Sequence, residues 1–220
     1  MFNVYVGYDT RLDEVYNVCR HSILRHSKQI NVVPIVQSEL RNMGVYYRDT
    51  DLLGSTEFTL TRFLVPYLNQ YDGWSLFCDC DFLWTCDVNE VFDLRDDNYD
   101  VMVVKHDYTP KTDIKMDGKI QHKLPRKNWS SLMLFNNKRC TNLSVELINS
   151  IDPSYLHQLK WTVDIKIGEL PVKYNYLVGY YTGEYKALHY TDGGPWFVEY
   201  KDTEFSDLWR KEYELYRERL

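Results

Sequence analysis

Trp74-Ser75-Leu76-Phe77-Cys78-Asp79-Cys80-Asp81-Phe82-Leu83-Trp84 is the stretch around which the chain is organised. A short apolar run, rich in aromatics, follows the turn signal Asp72-Gly73 and leads straight into two aspartates one residue apart. Its length and its flanking turn predict a buried strand rather than a helix. Carboxylates at the end of such a strand are costly to bury unpaired, because desolvation disfavours their charged form. A divalent cation would compensate them. Oxygen ligands in a partly open site suit Mg²⁺ or Mn²⁺, which in turn hold phosphate oxygens. An Asp-x-Asp is by itself common in loops; here the apolar strand before it and Phe82-Leu83-Trp84 after it single it out.

Composition narrows the function classes. The 220 residues suit one domain, and 44% hydrophobic residues supply a full core. The aromatic share is 15%, including 19 Tyr and 6 Trp, which fits a large core and also sites that stack flat rings or sugar faces. A formal net charge of −6 argues against a nucleic-acid surface, so any bound phosphate needs a metal or local arginines. The five cysteines form no secreted-type disulfide framework, and Cys78, Cys80 and Cys86 match no usual four-ligand zinc spacing. In an extended strand Cys78 and Cys80 share one face and Asp79 and Asp81 the other, so thiols packed behind an acidic site are expected. Met1-Phe2-Asn3-Val4 enters a strand with no charged leader, and no apolar run approaches the ~20 residues of a membrane span. The expectation is a soluble, cytoplasmic protein.

In chain order, a strand at residues 2–8, a helix at 12–26 and a strand at 31–36 give a β-α-β opening, which predicts a parallel sheet. Ligands sit at the carboxyl ends of such strands, so Tyr8 and Asp9 fall where one is expected, although Asp9 equally suits a helix cap. Residues 56–69 read as a helix that Pro66 kinks or divides. Arg62 lies within it, a short distance upstream of the aspartates, and could hold a phosphate or carboxylate bidentately. A short helix at 87–94 with Asp87 as its cap and a buried strand at 99–104 follow. His106 and Asp107 are adjacent on an extended segment and point to opposite faces, which argues against an acid–base pair. Residues 109–127 form a long Lys-rich polar connection of the kind used as a lid or an acceptor-binding loop. The next strand, 129–136, begins with Trp129, Ser130 and Ser131. Helices at 141–150 and 155–164, a turn-rich stretch at 167–171 and a surface helix at 206–220 complete the pattern.

A late strand carries His189 into Asp192-Gly193-Gly194-Pro195-Trp196. A lone histidine on a strand is more often a core residue than a ligand. This one precedes a glycine-rich turn, whose backbone N–H groups can act as a nest for phosphate oxygens. One imidazole nitrogen added to two carboxylates is a donor set suited to Mn²⁺.

Asp79-Cys80-Asp81 after a strand, together with His189-Tyr190-Thr191-Asp192-Gly193-Gly194-Pro195-Trp196 near the end of the chain, resembles the family 8 glycosyltransferases and their relatives with the GT-A fold. Val6-Gly7-Tyr8-Asp9, Thr61-Arg62-Phe63-Leu64-Val65-Pro66, Asn128-Trp129-Ser130-Ser131 and Ile167-Gly168-Glu169-Leu170-Pro171 with Asn175 support it, in the right order over most of the chain. The resemblance implies an α/β fold with a Rossmann-like, mostly parallel central sheet flanked by helices. It implies one domain over residues 1–220, with a nucleotide-binding half to about 105 and an acceptor-binding half beyond. It implies a hexose moved from a nucleotide sugar, in that family usually a UDP-sugar, to a glycan, protein or small-molecule acceptor with retention of configuration. By the same match Asp79, Asp81 and His189 hold Mn²⁺ or Mg²⁺, Tyr8 and Asp9 face the nucleotide, and Arg62 contacts donor sugar or phosphates. Cys80, Gly193 and Gly194 lie in the cofactor-binding motifs, and Trp129, Ser130 and Ser131 either touch the sugar or simply start a strand. Asp164 is the candidate catalytic carboxylate beside the sugar, and it reads equally as a surface aspartate before a turn. One departure stands out: the family commonly has a lysine just before Pro-Trp, where this chain has Gly194, so backbone amides or Arg62, Lys186 or Lys201 would have to replace it.

Two other readings compete. A haloacid-dehalogenase-type phosphatase also ends a strand in Asp-x-Asp, but wants a Thr or Val two residues on, where Leu83 stands, and a position near the N-terminus. A nucleotide-sugar-binding protein without turnover would keep the fold; the intact Asp79, Asp81 and His189 argue against it.

Overall fold

The computed structural model describes residues 1–49, 54–107 and 125–219. Its main sheet is built from β1 (Phe2–Gly7), β2 (Ile30–Ile35), β3 (Trp74–Cys78), β5 (Val101–Val103), β6 (Leu132–Asn136) and β7 (Ile167–Glu169) in the order β2-β1-β3-β6-β5-β7. All run parallel except β6, which is antiparallel to both of its neighbours. A smaller sheet sets β4 (Phe82–Trp84), β9 (Ala187–His189) and β8 (Tyr176–Leu177) side by side, with β4 antiparallel and β8 parallel to β9. The fold is the expected α/β one, with a mostly parallel central sheet flanked by helices.

Strands buried on both faces read as unbroken apolar runs rather than alternating ones. Leu132–Asn136 is buried at every position and Ser75–Cys78 likewise, which is why these two sit in the middle of the sheet. α1 (Asp13–His26) covers one face through Val15, Val18, Cys19, Ser22 and Ile23, a helical period. The remaining helices are short: α2 (Gln37–Asn42), α3 (Val65–Leu68), α4 (Asn89–Phe92), α5 (Val145–Ser150) and α6 (Pro153–His157). α7 (Ser206–Arg217) packs on α1 and is more than a surface helix, because Trp209 and Glu212 are buried beneath it. Glu212 receives Arg25 at 2.6 Å, and His21 Nδ1 lies 2.7 Å from its other oxygen.

Several local expectations are corrected. Residues 56–69 are not one helix: a 3-10 turn at Thr61–Leu64 runs into α3, and Pro66 sits in the first turn of α3, where its missing N–H costs nothing. Residues 167–169, expected as turn, form the edge strand β7. A side chain at Gly168 would meet Tyr99 and Met102 at 2.7 Å, so the glycine permits close packing there. The strand expected from residue 129 starts at Leu132, after a 3-10 turn at Trp129–Ser131. The helix expected at 155–164 is α6, started by Asp152, whose carboxylate accepts the Ser154 N–H. Most of the connection read as a lid or acceptor loop, residues 109–124, lies outside the described residues. All five cysteines are free and buried. Among the described residues, no helix is long and apolar enough to cross a membrane.

Gly7 ends β1 against the ring of Phe58, and a Cβ there would lie 2.4 Å from the ring carbons. Gly7→Ala is therefore expected to lower stability by about 1–3 kcal/mol in chemical denaturation, the usual range for overpacking. An unchanged midpoint would mean that Phe58 yields freely.

Candidate functional site

β1 and β3 are parallel neighbours, so their carboxyl ends emerge side by side. β6 runs the other way and pairs Leu132 with Cys78, which brings its start to the same edge; the Asp79 N–H donates to Ser131 O at 3.0 Å. After Asp81 the chain leaves the main sheet as β4. There Phe82 pairs with His189, and the Tyr190 N–H donates to Asp81 O at 3.0 Å. Two sheets thus meet at one acidic turn. Asp79, Asp81 and His189 come together with their ligand atoms all within 4.8 Å of one another. His189 Nε2 stands 3.4 Å from Asp81 Oδ1, and the Phe82 ring stacks on the imidazole at 4.5 Å.

The two carboxylates are compensated differently. Asp79 Oδ1 is 2.7 Å from Arg62 Nη1. That guanidinium is buried between the rings of Phe58 and Phe77, at 5.2 and 5.0 Å, and donates to Ser130 O and Thr59 O. Asp81 is only 7% exposed, and its Oδ1 has no hydrogen-bond donor among the described residues. A buried carboxylate oxygen without a donor is expensive, and an imidazole nitrogen faces it. Two carboxylates and one imidazole fit a hard or borderline divalent cation. Arg62, Asp79, Asp81 and His189 line one cleft here.

The other expected residues fall into three groups. Cys80 lines this cleft, with its thiol pushed well above its ordinary pKa by burial and by the flanking aspartates, so it stays neutral. Asp9 is fully buried and accepts from Arg11 Nε, from Arg11 Nη2 at 2.7 Å and from the backbone N–H groups of Arg11 and Glu57. Burial pushes its carboxyl up, yet these donors outweigh it and hold the pKa below the usual value. Asp9 therefore ties the exit of β1 to the segment that carries Phe58. Tyr8 turns to α1, its hydroxyl donating to Asp13 at 2.8 Å.

Trp129, Ser130 and Ser131 reach the edge of the site but are spoken for locally. The Trp129 indole N–H donates to His106 O, Ser130 Oγ lies 2.9 Å from His157 Nδ1, and the Ser131 hydroxyl donates to Asn128 O. The Gly193 N–H donates to Tyr190 O at 2.9 Å. Both glycines are packed against rings: a Cβ at Gly193 would meet Tyr200 at 2.7 Å, and one at Gly194 would meet Trp196 at 2.1 Å. Asp164 precedes β7, with its side chain 80% exposed and ion-paired at 2.6 Å to Arg126, whose guanidinium lies 5.2 Å from the Trp129 ring.

Asn128 and Thr191 also line the cleft, joined by a 2.8 Å hydrogen bond from Asn128 Nδ2 to Thr191 Oγ1, and sequence reasoning gave them no role. Asn128 has a φ of 62°, a left-handed conformation that asparagine tolerates better than most residues. Asn175, read only as part of a motif, contacts His189. His106 lies nearby, its Nδ1 2.8 Å from the Tyr181 hydroxyl, and burial with the neighbouring His189 lowers its pKa to about 3. It is a neutral imidazole at pH 7.

No family model matches the sequence. Three solved structures share the fold: the bifunctional glycosyltransferase WbbM (TM-score 0.66, 16% identity, 96% of this chain and 49% of that one), the glycosyltransferase GlyE of Streptococcus pneumoniae TIGR4 (0.63, 16%, 96% and 60%) and the galactosyltransferase LgtC in complex with donor and acceptor sugar analogs (0.61, 9%, 97% and 95%). The chain thus spans about half of WbbM and three-fifths of GlyE, but nearly all of LgtC. At these identities the likeness establishes the fold, which is GT-A. In sequence the chain is 47% identical to Protein CDI of Arabidopsis thaliana over 225 residues, covering 98% of this chain and 87% of that protein. With that identity along nearly its whole length, the chain belongs to the family of Protein CDI.

Proposed function

We propose that the chain is a metal-dependent glycosyltransferase that moves a hexose from a nucleotide sugar, UDP-linked in the first instance, to an acceptor with retention of anomeric configuration. The observation that carries this reading is the donor-less Asp81 Oδ1, set beside Asp79 and His189 at the carboxyl ends of β1 and β3. That edge is where parallel α/β sheets bind nucleotides. The fold shared with three glycosyltransferases supports transfer over the phosphatase reading.

Asp79, Asp81 and His189 Nε2 would hold Mn²⁺ or Mg²⁺, which when bound supplies Lewis-acid stabilisation of the charge that builds on the departing diphosphate. Arg62 pairs with Asp79 and fixes its direction, and its place between two rings leaves it little freedom to move. A contact from Arg62 to the donor would therefore be made without its leaving Asp79. Asp9 braces the loop wall at Glu57 and Phe58, and Tyr8 and Asp9 shape the nucleotide end of the cleft. The turn at Gly193 and Gly194 and the hydroxyl-bearing start of β6 form its other rim. Residues to about 105 would bind the nucleotide and those beyond it the acceptor, with β6 and β7 from the second half completing the same sheet. Five free buried thiols suit a reducing compartment such as the cytoplasm.

Calorimetric titration with UDP and then GDP, with and without Mn²⁺, tests the site. UDP is expected to bind only with Mn²⁺ present, and Asp81→Ala is expected to abolish that binding. Failure of both nucleotides to bind in the presence of metal would overturn the proposal. Release of UDP from a UDP-sugar separates a transferase from a binding protein without turnover. In the same assay Asp164→Asn is expected to cut turnover by about 10²-fold or more with UDP binding intact, if that carboxylate serves the sugar. Unchanged turnover would remove Asp164 from the mechanism.

A further inference from the structure

Behind His189 runs a chain of hydrogen bonds whose donors can be assigned one after another. Ser131 Oγ lies 2.7 Å from Asn128 O and 3.5 Å from His189 Nδ1; the much shorter contact is to a carbonyl oxygen, which only accepts, so the hydroxyl proton points there. The same Ser131 Oγ can then only accept from Asn175, 2.9 Å away, which must present its NH₂ group. The other end of that amide, Oδ1, therefore faces His189 Nδ1 at 2.8 Å. An amide oxygen only accepts, so Nδ1 carries a proton. In the neutral imidazole Nε2 is left with its lone pair, and Nε2 is the atom that stands 3.4 Å from Asp81 Oδ1.

Solvent cannot rearrange this chain: Asn175 is fully buried, and Ser131 and His189 are 2% and 1% exposed. The Phe82 ring, stacked 19° from parallel, holds the imidazole plane. A lone pair directed at a carboxylate oxygen is repulsive unless a cation stands between them. The relay thus prepares a nitrogen ligand at the point where the carboxylate oxygen lacks a donor.

We infer that Asn175 is a positioning residue that fixes His189 in its Nδ1–H form through Ser131 and Asn128, leaving Nε2 as the nitrogen ligand for a divalent cation shared with Asp79 and Asp81. The inference rests on the metal site of the proposed function and adds to it a residue that touches neither metal nor donor. Partners of this kind orient metal-bound histidines, and their loss typically weakens metal affinity 10–100-fold.

The test pairs two readouts on the full chain. Nitrogen-15 NMR of the histidine rings, without metal and with Mg²⁺, reads which nitrogen of His189 bears the proton; Nδ1 is expected to bear it in both states. Calorimetry with Mn²⁺ alone is expected to show a Kd about 10–100-fold higher in Asn175→Leu than in wild type. Asn175→Asp keeps the acceptor and is expected to retain both the Nδ1 proton and most of the affinity. An unprotonated Nδ1 in wild type would overturn the inference without any variant, as would wild-type Mn²⁺ affinity in Asn175→Leu. A protonated Nδ1 in a protein that binds no Mn²⁺ would overturn the metal site itself, here and in the proposed function, with the relay left standing.

Discussion

Two carboxylates held out of water at the end of a central strand are the constraint on which the rest of the structure depends. Charge in that position is unfavourable by several kcal/mol for each ion unless it is paired. Asp79 is paired from within by Arg62, and Arg62 is itself held by two phenylalanine rings and two backbone carbonyls. Asp81 has only the edge of an imbalanced contact, with His189 Nε2 at 3.4 Å and no donor on Oδ1. The architecture can be read as the means of holding that asymmetry. β1, β3 and the start of β6 converge on one edge, and β9 arrives from a second sheet to deliver the histidine. The proposed cation would complete the balance that the protein leaves open.

The second sheet is kept in register by packing rather than by sheet length, since β4, β8 and β9 are only two or three residues each. Leu83, Leu188, Tyr176, Tyr190 and Trp209 form their own apolar cluster with Val18 of α1. Trp196 lies against Tyr190 at 5.7 Å and Trp209 at 5.3 Å, and the Tyr190 hydroxyl donates to Phe205 O. The Gly193-Gly194 turn belongs to this packing. Its lack of side chains lets Tyr200 and Trp196 close over the backbone directly after His189. A lysine at position 194 would collide with Trp196, which gives a steric reason for the departure from the motif common in family 8 glycosyltransferases.

The central strand, the β-α-β opening and the acidic turn were legible in the sequence because each has a local cause: an unbroken apolar run, a helical period, a paired aspartate. The meeting of His189 with those aspartates was legible only through the resemblance, since no local rule brings residues over a hundred positions apart to one point. What could not be read were features set by tertiary partners. Residues 167–169 look like turn because Gly168 and the following Leu170-Pro171 break the pattern, and they are a strand because β5 offers an edge. Arg62 reads as a cation able to hold a phosphate or a carboxylate; that it is committed to the carboxylate of Asp79, between two phenylalanine rings, no spacing announces. Asn128, Asn175 and Thr191 stand in the motif stretches without a role of their own, because an amide or hydroxyl in a loop is ordinary until its partner is known. Asp164 precedes β7 and is ion-paired to Arg126, a partner that no spacing in the sequence announces.

The central claim is that a divalent cation sits between Asp79, Asp81 and His189. Anomalous diffraction from crystals of the protein grown with Mn²⁺ and UDP tests it most directly. A manganese peak is predicted within coordinating distance of a carboxylate oxygen of Asp81 and of His189 Nε2, with the UDP phosphates beside it. A peak bound elsewhere, or UDP seated at this edge with no metal among these three side chains, would contradict it.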